Sequence, residues 1–126
     1  MDVDHFKAMN DQYGHLAGDV LLRSVGGLLH ANVREIDLVA RYGGEEFAAV
    51  LLDTNKAAAQ HVAERIRAAI AQEPLRAYDE EIPVTVSVGL ATCPDDAEEL
   101  MSLLELADRA LYQAKEAGRN RVVAYA

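Results

Sequence analysis

Four carboxylates carry the clearest chemical potential in this sequence. Asp2 and Asp4 lie near its start, and Glu45 and Glu46 directly follow Gly43-Gly44. Acids gathered at one place repel each other unless positive charge sits between them. Hard divalent cations with oxygen ligands meet that need, and Mg²⁺ usually takes one or two carboxylates together with substrate phosphates. Two metals gripping a nucleotide would serve phosphoryl or nucleotidyl transfer. The bare backbone of Gly43-Gly44 would let a ligand come close. The alternative is that the acids line a solvated hairpin edge. No GxxxxGK[ST] loop occurs, which excludes a P-loop.

Other reactive residues are less promising. His5, His15, His30 and His61 share no ligand spacing. Cys93 is the one cysteine, so neither an intrachain disulfide nor a cysteine-based zinc site can form. It precedes Pro94 at a strand end with no base partner in view. Tyr78 with Asp79, Glu80 and Glu81 reads as a solvated loop. The 126 residues suit one domain. Twelve Lys+Arg against 21 Asp+Glu leave a net charge of −9. Such a chain is a poor partner for polymeric nucleic acid or anionic membranes. The longest apolar run, Phe47 to Leu52, falls far short of the ~18 residues of a spanning helix. The lack of cysteine pairs fits a reducing cytoplasm.

The elements that must position the acids follow from period and punctuation. A strand remnant covers Met1 to Asp4, and Asn10 to Gly18 reads as a turn-rich stretch. A helix from about Asp19 to Asn32 carries Leu21, Val25, Leu28 and Leu29 on one stripe. Strands at Leu38–Tyr42 and Glu45–Leu52 flank Gly43-Gly44, a signal for a two-residue hairpin turn with positive φ. A second helix spans about Asn55 to Gln72, followed by a polar loop at Pro74–Glu81. Ile82 to Ala91 reads as a strand, with Val84, Val86 and Val88 on one face and Thr85 and Ser87 on the other. A third helix, about Ala97 to Ala117, carries Leu100, Leu103, Leu104, Ala107, Leu111 and Ala114 along its apolar face. Asp96 and Glu99 resemble a capping box, and Gly118 is placed as a C′ stop. A last strand covers Arg121 to Tyr125.

The expected class is α+β, a ferredoxin-like or palm-type βαββαβ unit with one additional helix and strand on a mostly antiparallel sheet. In that layout the first and third strands are central neighbours. The end of the first strand, with Asp2 and Asp4, then meets the start of the third, with Glu45 and Glu46.

Arg41-Tyr42-Gly43-Gly44-Glu45-Glu46-Phe47, Asp2-Val3-Asp4-His5-Phe6-Lys7 with Asn10-Asp11, Tyr13-Gly14-His15 and Gly18-Asp19, Val84 to Gly89, and Lys115 to Asn120 form an ordered set of motifs. The set resembles the GGDEF family of diguanylate cyclases, in its GGEEF form, over nearly the whole chain. The resemblance implies condensation of two GTP into cyclic di-GMP and two pyrophosphates. Asp2 and Glu45 would hold Mg²⁺ (Mn²⁺ as a substitute), with the Val3 carbonyl assisting. Glu46 would support either the metal site or activation of the attacking hydroxyl. Asn10 and Asp19 would read guanine, an assignment that suits a carboxylate facing N1–H and the 2-amino group. Lys115 and Arg119 would meet the triphosphate, and Phe6, Lys7, Gly43 and Gly44 would border the nucleotide. Helix-dipole complementation is the structural alternative for Lys115 and Arg119.

Arg34-Glu35-Ile36-Asp37, with five residues between it and Gly43, is similar to the family's inhibitory RxxD site. Arg65 matches a second product-binding arginine, and a surface ion pair is the structural alternative. The resemblance further implies a facing second GGDEF domain for turnover and an upstream sensory or receiver domain. The rivals are a non-catalytic module sensing GTP or cyclic di-GMP, a purely structural dimerisation domain, and an inactive fragment. The family's N-terminal helical segment is missing from this sequence. Residues 1–126 are therefore expected to be a single catalytic domain truncated at its N-terminus, with a shortened first strand.

Overall fold

A computed structural model describes residues 1–126. The elements run β1 (Asp2–Val3), α1 (Phe6–Tyr13), α2 (His15–Ala31), β2 (Leu38–Arg41), β3 (Phe47–Val50), α3 (Lys56–Gln72), β4 (Leu75–Ala77), β5 (Glu80–Ile82), β6 (Val86–Leu90), α4 (Leu100–Glu116) and β7 (Val122–Ala124). This is the α+β, palm-type architecture expected from the sequence.

The sheet is assembled around its shortest strand. β1 pairs antiparallel with β6, Asp2 opposite Ser87 and Val3 opposite Val86. On its other side a single antiparallel bridge joins Asp2 to Glu46, just ahead of β3. Phe47 N donates to Met1 O at 2.8 Å and Val3 N to Glu45 O at 3.2 Å across that seam. β2 pairs antiparallel with β3, and β6 pairs parallel with β7 through the α4 crossover. The order is therefore β2-β3-β1-β6-β7, which confirms that the first and third strands are neighbours.

Strand parity then sorts the side chains. Val3, Phe47 and Val86 enter the core with Leu21, Val25, Leu29, Ile66 and Ile70 of α2 and α3. Asp2, Glu46, Ser87 and Gly89 fall on the opposite face, toward α4. Ser87 is fully buried there, so both sheet faces are covered at β6. Gly89 is where α4 comes closest. A Cβ at that position would lie 2.2 Å from both Ala107 O and Leu111 N.

Several local expectations are corrected. Asn10 to Gly18 is not turn-rich. Phe6, Met9 and Tyr13 give α1 an apolar stripe with Met9 buried, and only Gly14, at φ 91°, breaks the chain between α1 and α2. Tertiary burial overrode the local turn preference of Asn and Asp. Gly43-Gly44 is not a two-residue turn. Arg41 pairs with Phe47, Tyr42 N donates to Glu46 O, and neither glycine has positive φ. Pro74–Glu81 is not an open loop but holds the small β4–β5 hairpin, which buries Ala77 and Ile82.

The last helix starts late, at Leu100, which is itself 55% exposed. Asp96 forms no capping box; it accepts from Thr92 N and from Lys56 Nζ, both at 2.8 Å. Lys56 Nζ also reaches Tyr125 O at 2.8 Å. The C′ stop at Gly118 is present, at φ 119°. Gly118 N donates to Lys115 O and Arg119 N to Ala114 O, a Schellman ending.

Candidate functional site

The expected acidic edge forms, with three carboxylates rather than four. Asp2 sits between β3 and β6 and is 5% exposed. Lys115, from the last turn of α4, donates to Asp2 Oδ2. Asp2 Oδ1 is buried and has no partner. Glu46 is the bridge partner of Asp2, and Glu45 precedes it; both are half-buried. Burial alone would lower the Lys115 ammonium. The Asp2 hydrogen bond and charge, reinforced by Glu46 and Glu45, outweigh that and raise its pKa above the ordinary value.

Asp4 does not join this group. It accepts from Ser87 Oγ at 2.7 Å, Thr85 Oγ1 at 2.8 Å and Asn120 N at 3.0 Å. Both its oxygens are engaged by the β6 segment and the turn after α4. No three acidic, histidine or cysteine side chains stand close enough together to form a preassembled cation cage. The orphaned, buried Asp2 Oδ1 is nevertheless a hard oxygen donor beside two further carboxylates. That donor set fits Mg²⁺ or Mn²⁺, with substrate oxygens completing the shell.

A cleft of about 440 Å³ opens beside these acids, lined by Phe6, Lys7, Asn10, Asp19, Arg41, Gly44 and Glu45, with Leu22 at its base. It continues along α2 past Arg23 and Gly26 to Phe47. α1 and α2 form one wall and the loop before β3 the other. Gly18 lets Asn10 lie flat against α2: a Cβ there would stand 1.9 Å from Asn10 Oδ1. That oxygen, too, is buried without a partner. Asp19 is exposed to the cleft, and a Cβ on Gly44 would meet nothing within 4 Å.

The structure thus brings Asn10, Asp19, Phe6, Lys7, Gly44 and Glu45 together in one cleft and couples Lys115 to Asp2 next to it. Arg119 lies in the exposed turn after α4 at φ 64°. Two charged cleft residues, Arg41 and Arg23, have no role assigned from the sequence. Arg41 braces the loop, donating to Gly44 O at 2.6 and 3.1 Å and to Gly43 O at 3.3 Å. Arg23 follows Asp19 by one helical turn. An arginine two positions before the Gly43-Gly44 pair was the available signal for Arg41.

The RxxD segment is internally satisfied. Arg34 donates to Asp37 through Nε (3.2 Å) and Nη2 (3.0 Å), to Thr54 Oγ1, and to Leu52 O. Leu52 N donates back to Asp37 Oδ1 at 3.0 Å. The Arg34 hydrogen bond, opposed by burial and helped by Leu52 N, holds the Asp37 carboxyl below its ordinary pKa. Arg65 donates to Asn32 O at 2.6 Å, at the same corner of the molecule. These contacts are the intramolecular ion pair that forms the structural alternative to a product site. They leave half of the Arg34 side chain exposed.

A profile of the family described as "Diguanylate cyclase, GGDEF domain" matches residues 1–121. Diguanylate cyclase A of Treponema denticola is 44% identical over 97% of this chain and 33% of its own length. The response regulator PleD of Caulobacter vibrioides is 43% identical over 98% of this chain and 28% of its own length. The chain therefore spans a third or less of these curated relatives. Among solved structures, the GGDEF domain of YfiN (TpbB) from Pseudomonas aeruginosa superposes with a TM-score of 0.96 at 36% identity, over 99% of this chain and 78% of that one. The GGDEF domain of DgcB from Caulobacter crescentus, in complex with cyclic di-GMP, superposes with a TM-score of 0.89 at 37% identity, over 98% of this chain and 74% of that one.

Proposed function

The chain belongs to the GGDEF domain family of diguanylate cyclases, and from that premise we propose that it converts two GTP into cyclic di-GMP and two pyrophosphates. The carrying observation is the buried, unpartnered Asp2 Oδ1 beside Glu46 and Glu45, with Glu45 itself lining the cleft that holds Asn10 and Asp19.

Asn10 and Asp19 take the guanine. The Asp19 carboxylate accepts from N1–H and the 2-amino group, which adenine does not present together. Lys7, with the main chain around Phe6, Gly43 and Gly44, borders the phosphates, and Lys115 and Arg119 neutralise the outer ones. Asp2, Glu45 and the Val3 carbonyl are the ligands for Mg²⁺, and Glu46 supports them or receives the proton of the attacking 3′-hydroxyl. The bound cation supplies charge neutralisation at the phosphates and a lowered pKa for that hydroxyl. The 3′-oxygen of one GTP bonds to the α-phosphorus of the other as pyrophosphate leaves, and a second such exchange closes the ring. Each domain offers one guanine cleft, so two domains must face one another.

In this proposal the reaction is cytoplasmic and under the control of a sensory or receiver domain elsewhere in the full protein. Arg34, Asp37 and Arg65 bind the product and limit turnover. Incubation with GTP and Mg²⁺, followed by separation of nucleotides, tests the activity. Cyclic di-GMP is the expected product. Its absence from a dimerised protein that binds GTP would favour a sensing module instead.

A further inference from the structure

Lys115 has two demands on it. The proposed reaction needs its ammonium at the nucleotide's phosphates, yet the structure holds it on Asp2 Oδ2. The pair is sheltered, with side-chain exposures of 32% for Lys115 and 8% for Asp2. Glu46 is the bridge partner of Asp2, and Lys115 is the cation within hydrogen-bond reach of the Asp2 carboxylate. Lysine suits an exchange of places, being a compact point charge on a flexible four-carbon stem. The Schellman ending fixes the backbone at Lys115, so only that stem has to move.

We propose that Lys115 is the resting counter-ion of the metal site, holding the Asp2 carboxylate until a divalent cation takes it and thereby releases the ammonium to the nucleotide. This rests on the reading of Asp2 as a metal ligand. Lys115 and the cation compete for one carboxylate, so the cation binds weakly when nucleotide is absent. Phosphates that draw Lys115 away remove the competitor and tighten the cation. By linkage the cation tightens the nucleotide by the same factor. The site is thereby charged in order, with neither component held firmly alone.

The test is binding of Mn²⁺ alone, followed by the electron paramagnetic resonance of free Mn²⁺, for the wild type, Lys115→Met and Asp2→Asn. Lys115→Met should bind Mn²⁺ about tenfold more tightly, the scale of a typical coupling. A non-reacting α,β-methylene GTP analogue, whose phosphates also ligate the cation, should then strengthen Mn²⁺ binding about tenfold more in the wild type than in Lys115→Met. A gain of affinity cannot arise from a folding defect, and Lys115→Gln repeats the measurement with a polar side chain of similar reach. Unchanged or weaker Mn²⁺ binding by both Lys115 variants, with Asp2→Asn weakened, overturns the counter-ion role alone. Wild-type Mn²⁺ affinity in Asp2→Asn overturns the metal-ligand reading, and the counter-ion role with it.

Discussion

Replacing Asp4 by alanine separates a structural clamp from a metal ligand. The carboxylate is 5% exposed and receives three donors from two distant parts of the chain. Removing it strands the Ser87 hydroxyl, which is fully buried and has no route to water. An unsatisfied buried group costs about 1–3 kcal/mol, and a lost hydrogen bond to a charge is of similar size. Thr85 is half-buried and Asn120 is exposed, so both regain water in part. The expected loss for Asp4→Ala is therefore about 3–4 kcal/mol, a large share of a typical domain's 5–15 kcal/mol.

Asp4→Asn should lose only about 1–1.5 kcal/mol. Its carbonyl can still accept from Thr85 and Asn120, while its amide donates to Ser87, whose hydroxyl also accepts. Adding Ser87→Ala to Asp4→Ala should recover about 1–2 kcal/mol by removing the stranded hydroxyl. Urea unfolding followed by circular dichroism reads all four proteins. An Asp4→Ala loss below about 0.5 kcal/mol, within the range of ordinary surface substitutions, would refute the clamp. So would the lack of any recovery in the double variant. Unchanged Mn²⁺ binding by folded Asp4→Asn is the companion expectation, since both Asp4 oxygens are already engaged by Thr85, Ser87 and Asn120.

Glu45→Gln should lower turnover by about a hundredfold or more, by analogy with removal of one preorganised electrostatic group, and wild-type turnover would remove Glu45 from the metal site. Gly18→Ala should raise the KM for GTP about tenfold, one hydrogen bond's worth, because its Cβ displaces Asn10; a kinetic titration with an unchanged KM contradicts the guanine role. Asp96 is held below its ordinary pKa first by the Lys56 hydrogen bond and then, against burial, by Thr92 N. A depressed folded pKa gives stability that is present above the unfolded carboxylate range and lost as pH falls through the folded pKa. Unfolding measured from pH 7 downward should therefore show a shallower acid slope in Asp96→Asn than in the wild type. Arg34→Ala should abolish tight cyclic di-GMP binding in calorimetry while GTP binding persists, and retained product affinity refutes the RxxD assignment.

The adjacency of the first and third strands was legible because the order of elements dictates it and because Asp2 and Glu46 flank the same seam. The alternation of Val84 to Val88 was legible for a similar reason: strand parity is a local property. The stop at Gly118 was legible because a left-handed C′ position favours glycine. The fate of Asp4 was not, since its partners Thr85, Ser87 and Asn120 lie 81, 83 and 116 residues away. Nothing local distinguishes Asp4 from Asp2, two positions earlier on the same strand face. α1 was hidden for a different reason. Asn10, Asp11 and Gly14 speak locally for a turn, and Met9 answers only once the core exists to receive it. The Lys115–Asp2 pair was obscured because the resemblance described a nucleotide-filled site, where the same lysine has other work.

The contact at Gly89 bears on how this domain can change over generations. Cores usually drift through compensating pairs, one side chain growing as its neighbour shrinks. Opposite Gly89 stand the main-chain atoms of Ala107 and Leu111, which no substitution can make smaller. Position 89 therefore has no compensating partner, and a larger residue there can be accepted only by lifting α4. Leu111 is one helical turn from Lys115, so that lift would be felt at Asp2. The permitted alphabet at position 89 is set by main-chain atoms of α4, and relaxing it would move the ammonium group on the next turn of that helix.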